Sequence, residues 1–290
     1  MSADRLVSAR VRRLAEREPG GAVWLAALPD LLGDLARRWA LTLGPPFEHD
    51  GYTAVVLPGE RPDGSQVVLK LSFPHMEGLD EAAGLRFWNG EPTVRLLAAD
   101  ESNHAMLLER CVPGHDLNVL PAEERDGVLA GLLRRLWRPV PPHHGFRHLQ
   151  QMIAYWSEET ERDEARWPDP VLVREGLEVW RELSRPAADD VLLATDAHAG
   201  NVLAAEREPW LLIDPKPFVG DRAYDATQHL FDDRERLEAD PSGFVRRWAG
   251  LLDLDEQRVR AWTFARYAAE RRDDDDEWQR ANALARRLAS

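Results

Sequence analysis

The sequence has one cysteine, no long apolar stretch and no apolar segment near its start, and each absence excludes a class of protein or site. The chain has a single cysteine, Cys111, which excludes an internal disulfide and a zinc site built on cysteines. No stretch approaches the roughly 18 consecutive apolar residues of a membrane-spanning helix. Residues 1–13 carry charges in every turn, so they lack the apolar segment of a signal peptide. We therefore expect a cytoplasmic protein.

Lysine is scarce as well. Of the 37 lysine and arginine residues, two are lysines, Lys70 and Lys216, and all the others are arginines. A sequence that uses arginine wherever a positive charge suffices retains lysine either by chance or where a compact ammonium is needed. Both explanations stay open at this point.

The chain has fewer basic than acidic residues, which gives it a formal net charge of −14. This balance argues against nucleic acid or an anionic membrane as the main partner, because phosphate-rich surfaces bind a basic footprint. An acidic protein can concentrate a cationic small substrate, but surplus acid can equally serve solubility alone. Charge narrows the class of ligand without identifying it.

The first part of the chain is predicted to be helical and then mainly strands. Residues 1–45 carry leucines at helical spacing, and Gly44-Pro45-Pro46 should end the helix. The polar pair Asp63-Gly64 between two β-branched runs is typical of a hairpin. The predicted strands are 52–57, 66–71, 94–98 and 105–108, with a helix at 77–88.

After Pro113-Gly114 the sequence changes to long amphipathic patterns. Helices are predicted at 121–137, 146–166, 170–184, 241–252, 255–271 and 276–288. Short segments with strand character lie among them, at 191–193, 202–203 and 210–213. The fold class is therefore α+β, with a small β-sheet part followed by a mainly helical part.

The most informative polar residues lie around these short strands. Asp196 and Asn201 form a D-x-x-x-x-N pattern, and Asp214 closes an apolar strand 18 residues after Asp196. Phosphoryl transfer needs a carboxylate that orients and deprotonates the attacking hydroxyl, together with oxygen ligands for magnesium. Asp196 fits the first role, and Asn201 and Asp214 fit the second. Each residue alone is also common in caps and turns.

Together these segments resemble the aminoglycoside phosphotransferases. Residues 194–201 are similar to their catalytic loop H-G-D-x-H-x-x-N, and Ile213–Asp225 resembles the branch that phosphorylates streptomycin and the related hydroxyurea phosphotransferases. The resemblance extends from about Trp24 to Tyr267. It implies a bilobal protein-kinase-like fold, with ATP and Mg²⁺ as cofactors.

The resemblance also assigns a nucleotide site to the amino-terminal part. Lys70 lies on an apolar strand and Glu81 on the following helix, like the kinase lysine that contacts phosphates and its glutamate partner. Glu109 and Cys111 fall in a predicted hinge whose backbone would bind adenine. Gly51 stands alone where kinases have several glycines, so Thr53 and the amides of 51–54 are the candidates for covering the phosphates.

The sequence departs from the family motif beside the base. Ala194 and Thr195 replace its first histidine and glycine, so a group that orients Asp196 is either missing or supplied from elsewhere. His198 either braces the loop or binds a metal, and no second histidine cluster supports the metal.

Lys216 could contact phosphate or the acceptor, or form a structural ion pair. Asp221 and Asp225 are expected to hold the loop and the next helix through backbone amides; Ala197 and Ala199 also depart from the motif.

The acceptor site is expected on the helices around 146–185 and 225–270. Candidate groups for a cationic acceptor are acidic and aromatic, although a solvated helix face explains them equally: Glu158, Glu159, Glu161, Asp163, Glu270, Tyr155, Trp156 and Trp262. The predicted organisation is an N-terminal lobe at 1–110, a hinge at 111–116 and a C-terminal lobe at 117–290.

The sequence is compatible with three functions. The first is an ATP- and magnesium-dependent phosphotransferase acting on a hydroxyl of a streptomycin-like aminoglycoside, which would confer antibiotic resistance. The second keeps this chemistry with hydroxyurea or another metabolite as the acceptor. The third is a catalytically silent nucleotide-binding protein.

Overall fold

A computed structural model describes residues 6–47 and 53–289. The chain divides into two compact units. The first contains the residues up to Gly114 together with Ala204–Pro209, and the second contains His115–Leu203 and the residues from Trp210 onward. The predicted lobe and hinge boundaries stay predictions.

The first unit is built on an antiparallel five-stranded sheet with the order β1-β2-β3-β5-β4. The strands are β1 Thr42–Leu43, β2 Ala54–Glu60, β3 Gln66–Ser72, β4 Leu96–Asp100 and β5 Ala105–Glu109. The predicted hairpin is confirmed: Ser65 N donates to Asp63 Oδ1 at 2.9 Å, and Gly64 adopts a φ of 82° that favours glycine. The predicted first residue of β2, Tyr52, lies outside the described residues.

The helices of this unit are α1 Ala9–Arg17, α2 Gly21–Arg38 and α3 Glu81–Trp88. The single helix predicted for 1–45 is wrong in two places. Glu18 is extended and Gly20 is left-handed, so the helix breaks there, and Ala40 at φ 52° ends α2 before β1. Leu28 and Leu35 of α2 are fully buried in one core with Leu57 and Leu69 of the sheet.

The second unit is mainly helical, as predicted. Its helices are α4 Ala122–Leu136, α5 Leu149–Arg162, α6 Pro170–Leu183, α7 Arg222–Asp232, α8 Arg234–Ala239, α9 Pro241–Leu252, α10 Glu256–Ala269 and α11 Asp275–Ala289. Two short strand pairs lie among them: β6 Val191–Leu193 with β9 Phe218–Gly220, and β7 Val202–Ala204 with β8 Trp210–Leu212. The predicted α+β class is thereby confirmed.

The tip of the β7–β8 hairpin belongs to the first unit and is fastened there by Arg207. Its guanidinium donates to both carboxylate oxygens of Glu109, at 2.8 and 2.9 Å. It also donates to the carbonyls of Gly90 and Thr93, at 2.8 and 3.0 Å. The fork geometry of arginine suits such a two-point bond to a carboxylate.

A search of the described residues finds no helix that is both long enough and apolar enough to cross a membrane.

Candidate active site

Asp196, the predicted catalytic base, lies in the loop between β6 and β7. β6 is held by its antiparallel pairing with β9. Directly after β6, Thr195 has a φ of 50°, and the Asp196 amide donates to the Ala194 carbonyl at 2.7 Å. This tight turn leaves the Asp196 side chain 30% exposed, although Ala194 and Ala197 beside it are buried. A partly exposed carboxylate on a fixed turn can accept a proton from an incoming group.

Asn201 closes the same loop from its other end. Its Nδ2 donates to the Asp196 carbonyl at 3.0 Å and to Asp196 Oδ2 at 3.3 Å. Because the amide nitrogen makes these bonds, Oδ1 is the end of the side chain that can serve as a ligand for a cation.

Asp214 reaches this loop through the β7–β8 hairpin. The Ile213 amide donates to the Asn201 carbonyl at 2.8 Å, which continues the strand pairing towards the loop. Asp214 itself has a φ of 51° and ends the extended segment. The second unit therefore brings Asp196, Asn201 and Asp214 together, while their chemical roles stay predictions.

Lys216 forms ion pairs with two of these residues. Its Nζ lies 2.6 Å from Asp214 Oδ1 and 3.5 Å from Asp196 Oδ2, and its side chain is only 7% exposed. The sequence left a contact with phosphate or with the acceptor, and a structural ion pair, as alternatives. The structure contains the ion pair, which places the ammonium of Lys216 between the carboxylates of Asp196 and Asp214.

The segment beside Asp196 that departs from the family motif is held by Thr195 itself and by groups from elsewhere in the chain. Thr195 Oγ1 donates to the Lys216 carbonyl at 2.6 Å, which ties the loop to the segment after Asp214. The buried carboxylate of Asp225 accepts from the amides of Ala194 and Thr195, at 3.0 and 2.6 Å, and from Trp137 Nε1 at 2.9 Å. The prediction that Asp225 holds the loop is confirmed; Trp137 gave no signal in the sequence.

Complete burial raises the pKa of the Asp225 carboxyl to about 6, and the nearby charge of Asp196 raises it as well. The bonds from Trp137, Ala194 and Thr195 act in the opposite direction, because they favour the ionised form. Asp221 is confirmed as a cap of the next helix: it accepts from the Ala223 amide at 2.9 Å.

His198 bonds the backbone of its own loop, as the bracing hypothesis predicts. Its Nδ1 accepts from the Gly200 amide at 3.2 Å. Its nearest ring nitrogens lie 3.8 Å from Asp196 Oδ1 and from Asp232 Oδ1, which is beyond hydrogen-bond distance. Among the residues that the structure describes, no group of three or more His, Cys, Asp and Glu side chains is arranged to hold a metal by itself.

Lys70 and Glu81 form a buried ion pair in the first unit. Lys70 lies on β3 with Val56 and Met106 as its partners on the neighbouring strands, and Glu81 is the first residue of α3. Lys70 Nζ lies 2.6 and 2.7 Å from the two Glu81 carboxylate oxygens. This contact is the one that the resemblance implies. A buried charge is costly unless paired, so each residue fixes the other.

The predicted hinge residues have mainly structural contacts in the first unit. Burial is the largest influence on the pKa of Glu109 and acts to raise it, but the bonds from Arg207 and from the Arg95 amide, with the charges of both arginines, together hold that pKa below its usual value. Burial and the neighbouring charge of Glu109 raise the pKa of Cys111 to about 12, so its thiol is unreactive. Thr53 precedes β2, where its carbonyl accepts from the Phe73 amide at 2.7 Å, and Gly51 lies outside the described residues. Adenine and phosphate contacts at these positions stay predictions.

The acidic acceptor candidates are already paired with arginines. Glu161 bonds Arg181 at 2.6 Å, and Asp163 bonds Arg166 at 3.0 Å. Glu270 lies 2.9 Å from Arg266 and 3.0 Å from Arg272, while Glu158 and Glu159 both pair with Arg162. The prediction of Trp262 as a platform is wrong, because the ring is fully buried and its Nε1 donates to Asp221 at 2.6 Å.

The sequence is similar to a known family of kinases. Residues 38–275 match the family described as aminoglycoside/hydroxyurea antibiotic resistance kinases. A streptomycin 6-kinase of Streptomyces griseus is 41% identical over 258 residues, which is 85% of this chain and 82% of that one. A hydroxyurea phosphotransferase of Kitasatospora aureofaciens is 37% identical over 254 residues, covering 85% of this chain and 73% of that one.

Similarity to solved structures is confined to the fold. LicA, in a complex with AMP, superposes with a TM-score of 0.61 at 10% identity, over 89% of this chain and 98% of LicA. The predicted protein-kinase-like fold is confirmed. With the family match over most of its length, the chain belongs to the aminoglycoside/hydroxyurea antibiotic resistance kinases.

Proposed function

We propose that this protein transfers the γ-phosphoryl group of ATP to a hydroxyl of a streptomycin-like aminoglycoside, and so confers antibiotic resistance. The observation that carries the proposal is the grouping of Asp196, Asn201 and Asp214 on one braced loop and hairpin, in a chain of this family. This grouping provides a base and two oxygen ligands, which phosphoryl transfer requires.

Asp196 is proposed as the base. Its carboxylate orients the acceptor hydroxyl and takes up the hydroxyl proton as the oxygen–phosphorus bond forms. The bond between the γ-phosphorus and the bridging oxygen breaks, and ADP leaves with that electron pair. Asn201 supports the reaction through its bonds to Asp196, which restrict where the carboxylate can turn.

Asn201 Oδ1 and the carboxylate of Asp214 would hold magnesium. They fit this ion because both are oxygen donors, and because the Lys216 ammonium beside Asp214 marks a position that attracts a cation. Two protein ligands leave coordination positions for phosphate oxygens and water, as magnesium prefers. When bound, magnesium supplies charge neutralisation at the phosphates.

The nucleotide role of the first unit rests on the Lys70–Glu81 pair. Lys70 would contact the α- and β-phosphates while Glu81 holds its ammonium in place. Thr53 would help to cover the phosphates, and the backbone at Glu109 and Cys111 would bind adenine. The complex of LicA with AMP supports a nucleotide site in this fold. The need for ATP favours a cytoplasmic location.

The acceptor is proposed from the relatives, since one is named a streptomycin 6-kinase. The overall charge of −14 favours a cationic acceptor such as an aminoglycoside. The relative named a hydroxyurea phosphotransferase supports hydroxyurea as the second candidate. Both candidates use the same base and the same phosphate contacts.

An acceptor screen separates these alternatives. The protein with ATP and magnesium is offered streptomycin, other aminoglycosides or hydroxyurea, and ADP release is measured together with the mass of the acceptor. We expect a streptomycin product heavier by one phosphoryl group. Transfer to hydroxyurea alone would establish the second candidate. ATP binding without transfer to any acceptor would instead favour the catalytically silent protein.

A further inference from the structure

Lys216 lies beside Asp196 and Asp214 but has no part in the reaction steps proposed for them. It is one of two lysines in a chain that otherwise uses arginine, and the other, Lys70, is explained by its pairing with Glu81. Both lysines are 6% exposed, so neither is a generic surface charge. A position that retains a compact ammonium against this preference for arginine suggests that the shape of the head group matters.

The backbone of Lys216 is fixed from two sides. Its amide donates to the Ala194 carbonyl at 2.8 Å, and its carbonyl accepts from Thr195 Oγ1 at 2.6 Å. These bonds hold the residue against the loop that carries Asp196. Any reorientation of Lys216 is therefore confined to the four-carbon stem of its side chain, which starts from a fixed point beside Asp196.

The charges around its ammonium change when nucleotide arrives. In this structure Nζ lies 2.6 Å from Asp214 Oδ1, 3.3 Å from the Asp214 carbonyl and 3.5 Å from Asp196 Oδ2. A divalent cation held by Asp214 and Asn201 would neutralise Asp214 and repel the ammonium. The phosphate oxygens brought with that cation carry the nearest new negative charge.

We propose, resting on the proposed function, that Lys216 is a further catalytic residue that donates hydrogen bonds to the transferring γ-phosphoryl group. Its ammonium keeps its protons throughout, because the proton of the acceptor goes to Asp196. While the oxygen–phosphorus bond forms and the bond to ADP breaks, the ammonium stabilises charge on the equatorial oxygens. In the absence of nucleotide the same ammonium holds the two carboxylates together.

The test compares a triphosphate with a diphosphate, because only the triphosphate carries the γ-group. The affinities of a non-hydrolysable β,γ-imido analogue of ATP and of ADP, each with magnesium, are measured by calorimetry for the wild type, Lys216→Met and Lys216→Arg. We expect the ratio of triphosphate to diphosphate affinity to fall about tenfold in Lys216→Met, which is the size of one charge-assisted hydrogen bond. Lys70→Met is the matched control, and it should weaken both nucleotides together.

Turnover and folding complete the test. The kcat of Lys216→Met should fall by about 10² to 10³, as for the loss of one preorganised donor. If Lys216→Met does not fold, Lys216→Arg decides by the same affinity ratio. It keeps the positive charge beside Asp214, but its planar guanidinium differs in shape from the ammonium, so we expect it to lower the ratio as well. An unchanged ratio in the folded variants would show a structural ion pair and overturn the proposal. A wild type that binds no nucleotide would instead overturn the proposed function.

Discussion

At the scale of the residue, Asp225 organises the loop that carries Asp196, the proposed base, without being part of the proposed reaction. Its buried carboxylate receives three hydrogen bonds, two of them from the backbone immediately before Asp196. The loop residue Thr195 has a left-handed φ of 50°, a conformation that is unfavourable for a β-branched side chain. The bonds made by Asp225 and by the Thr195 hydroxyl offset this cost, so the loop keeps its turn without the glycine of the family motif.

The titration of Asp225 predicts a pH dependence of stability. Because its folded pKa of about 6 lies above the ordinary value of 3.8, the protonated carboxyl favours the folded state at low pH. That contribution is lost as the pH rises through about 6. The free energy of unfolding of the wild type relative to Asp225→Asn should therefore fall by about 2 to 3 kcal/mol between about pH 4 and about pH 7. Urea unfolding of both proteins across this range measures the difference, and a constant difference would contradict the assigned pKa.

At the scale of the element, the β7–β8 hairpin has two functions in one short segment. Its base carries Asn201 and Asp214 beside the Asp196 loop, while Arg207 at its tip bonds Glu109. The Arg207 and Glu109 side chains are only 21% and 18% exposed, and the bond is bidentate. Such a pair contributes more to stability than a fully solvated one.

A double-mutant cycle on Arg207→Met and Glu109→Gln is expected to give a coupling energy of about 1 to 3 kcal/mol in the free energy of unfolding. The matched control is the exposed pair Arg185 and Glu182, whose side chains are 68% and 62% exposed. Its coupling should be below about 1 kcal/mol. Equal couplings in the two cycles would mean that the hairpin tip is not fastened as described.

Element prediction from the sequence succeeded where the pattern was long and regular. The β2–β3 hairpin and the helices α4, α6, α9 and α10 were predicted to within a few residues. The apolar spacing is strong in α6 and α9, whereas most of the surface of α10 is buried. The strand β9 was missed, whereas α7 was expected as a helix after Asp221 but without stated bounds. β9 has only three residues, too few to show an alternating pattern, and α7 buries the polar residues Thr227 and His229, so its buried face is not marked by apolar residues alone.

Site prediction was better for residue types than for contacts. The spacing of Asp196, Asn201 and Asp214 predicted residues that the second unit brings together. The support from Trp137 could not be predicted, because it depends on tertiary packing over 88 residues of sequence separation. The scarcity of lysine was the one compositional signal for Lys216, although the sequence could not show that its ammonium lies between two carboxylates.

At the scale of the whole molecule, the net charge of −14 has a consequence for acceptor binding. An acidic protein attracts a cationic acceptor over a distance that depends on the Debye length. That length falls from about 30 Å at 0.01 M salt to about 3 Å at 1 M salt. A neutral acceptor experiences no such attraction.

The KM for streptomycin is therefore expected to rise by about tenfold or more across this range of salt, whereas the KM for hydroxyurea should change little. Steady-state kinetics with the two acceptors in parallel provide the measurement, and the KM for ATP in each series reports any effect of salt on the nucleotide. A salt-independent KM for streptomycin would show that the surplus acid serves solubility alone.

The proposed role of Asp196 as the base of a phosphotransferase is tested by the variant Asp196→Asn. The variant should bind ATP and magnesium like the wild type in calorimetry, while its kcat for transfer to streptomycin falls by about 10² to 10⁴. Asp232→Asn is the matched control, because it removes a carboxylate at the same 3.8 Å from His198, and it should transfer at nearly the wild-type rate. An Asp196→Asn protein that binds ATP and transfers phosphate at nearly the wild-type rate would show that Asp196 is not the base.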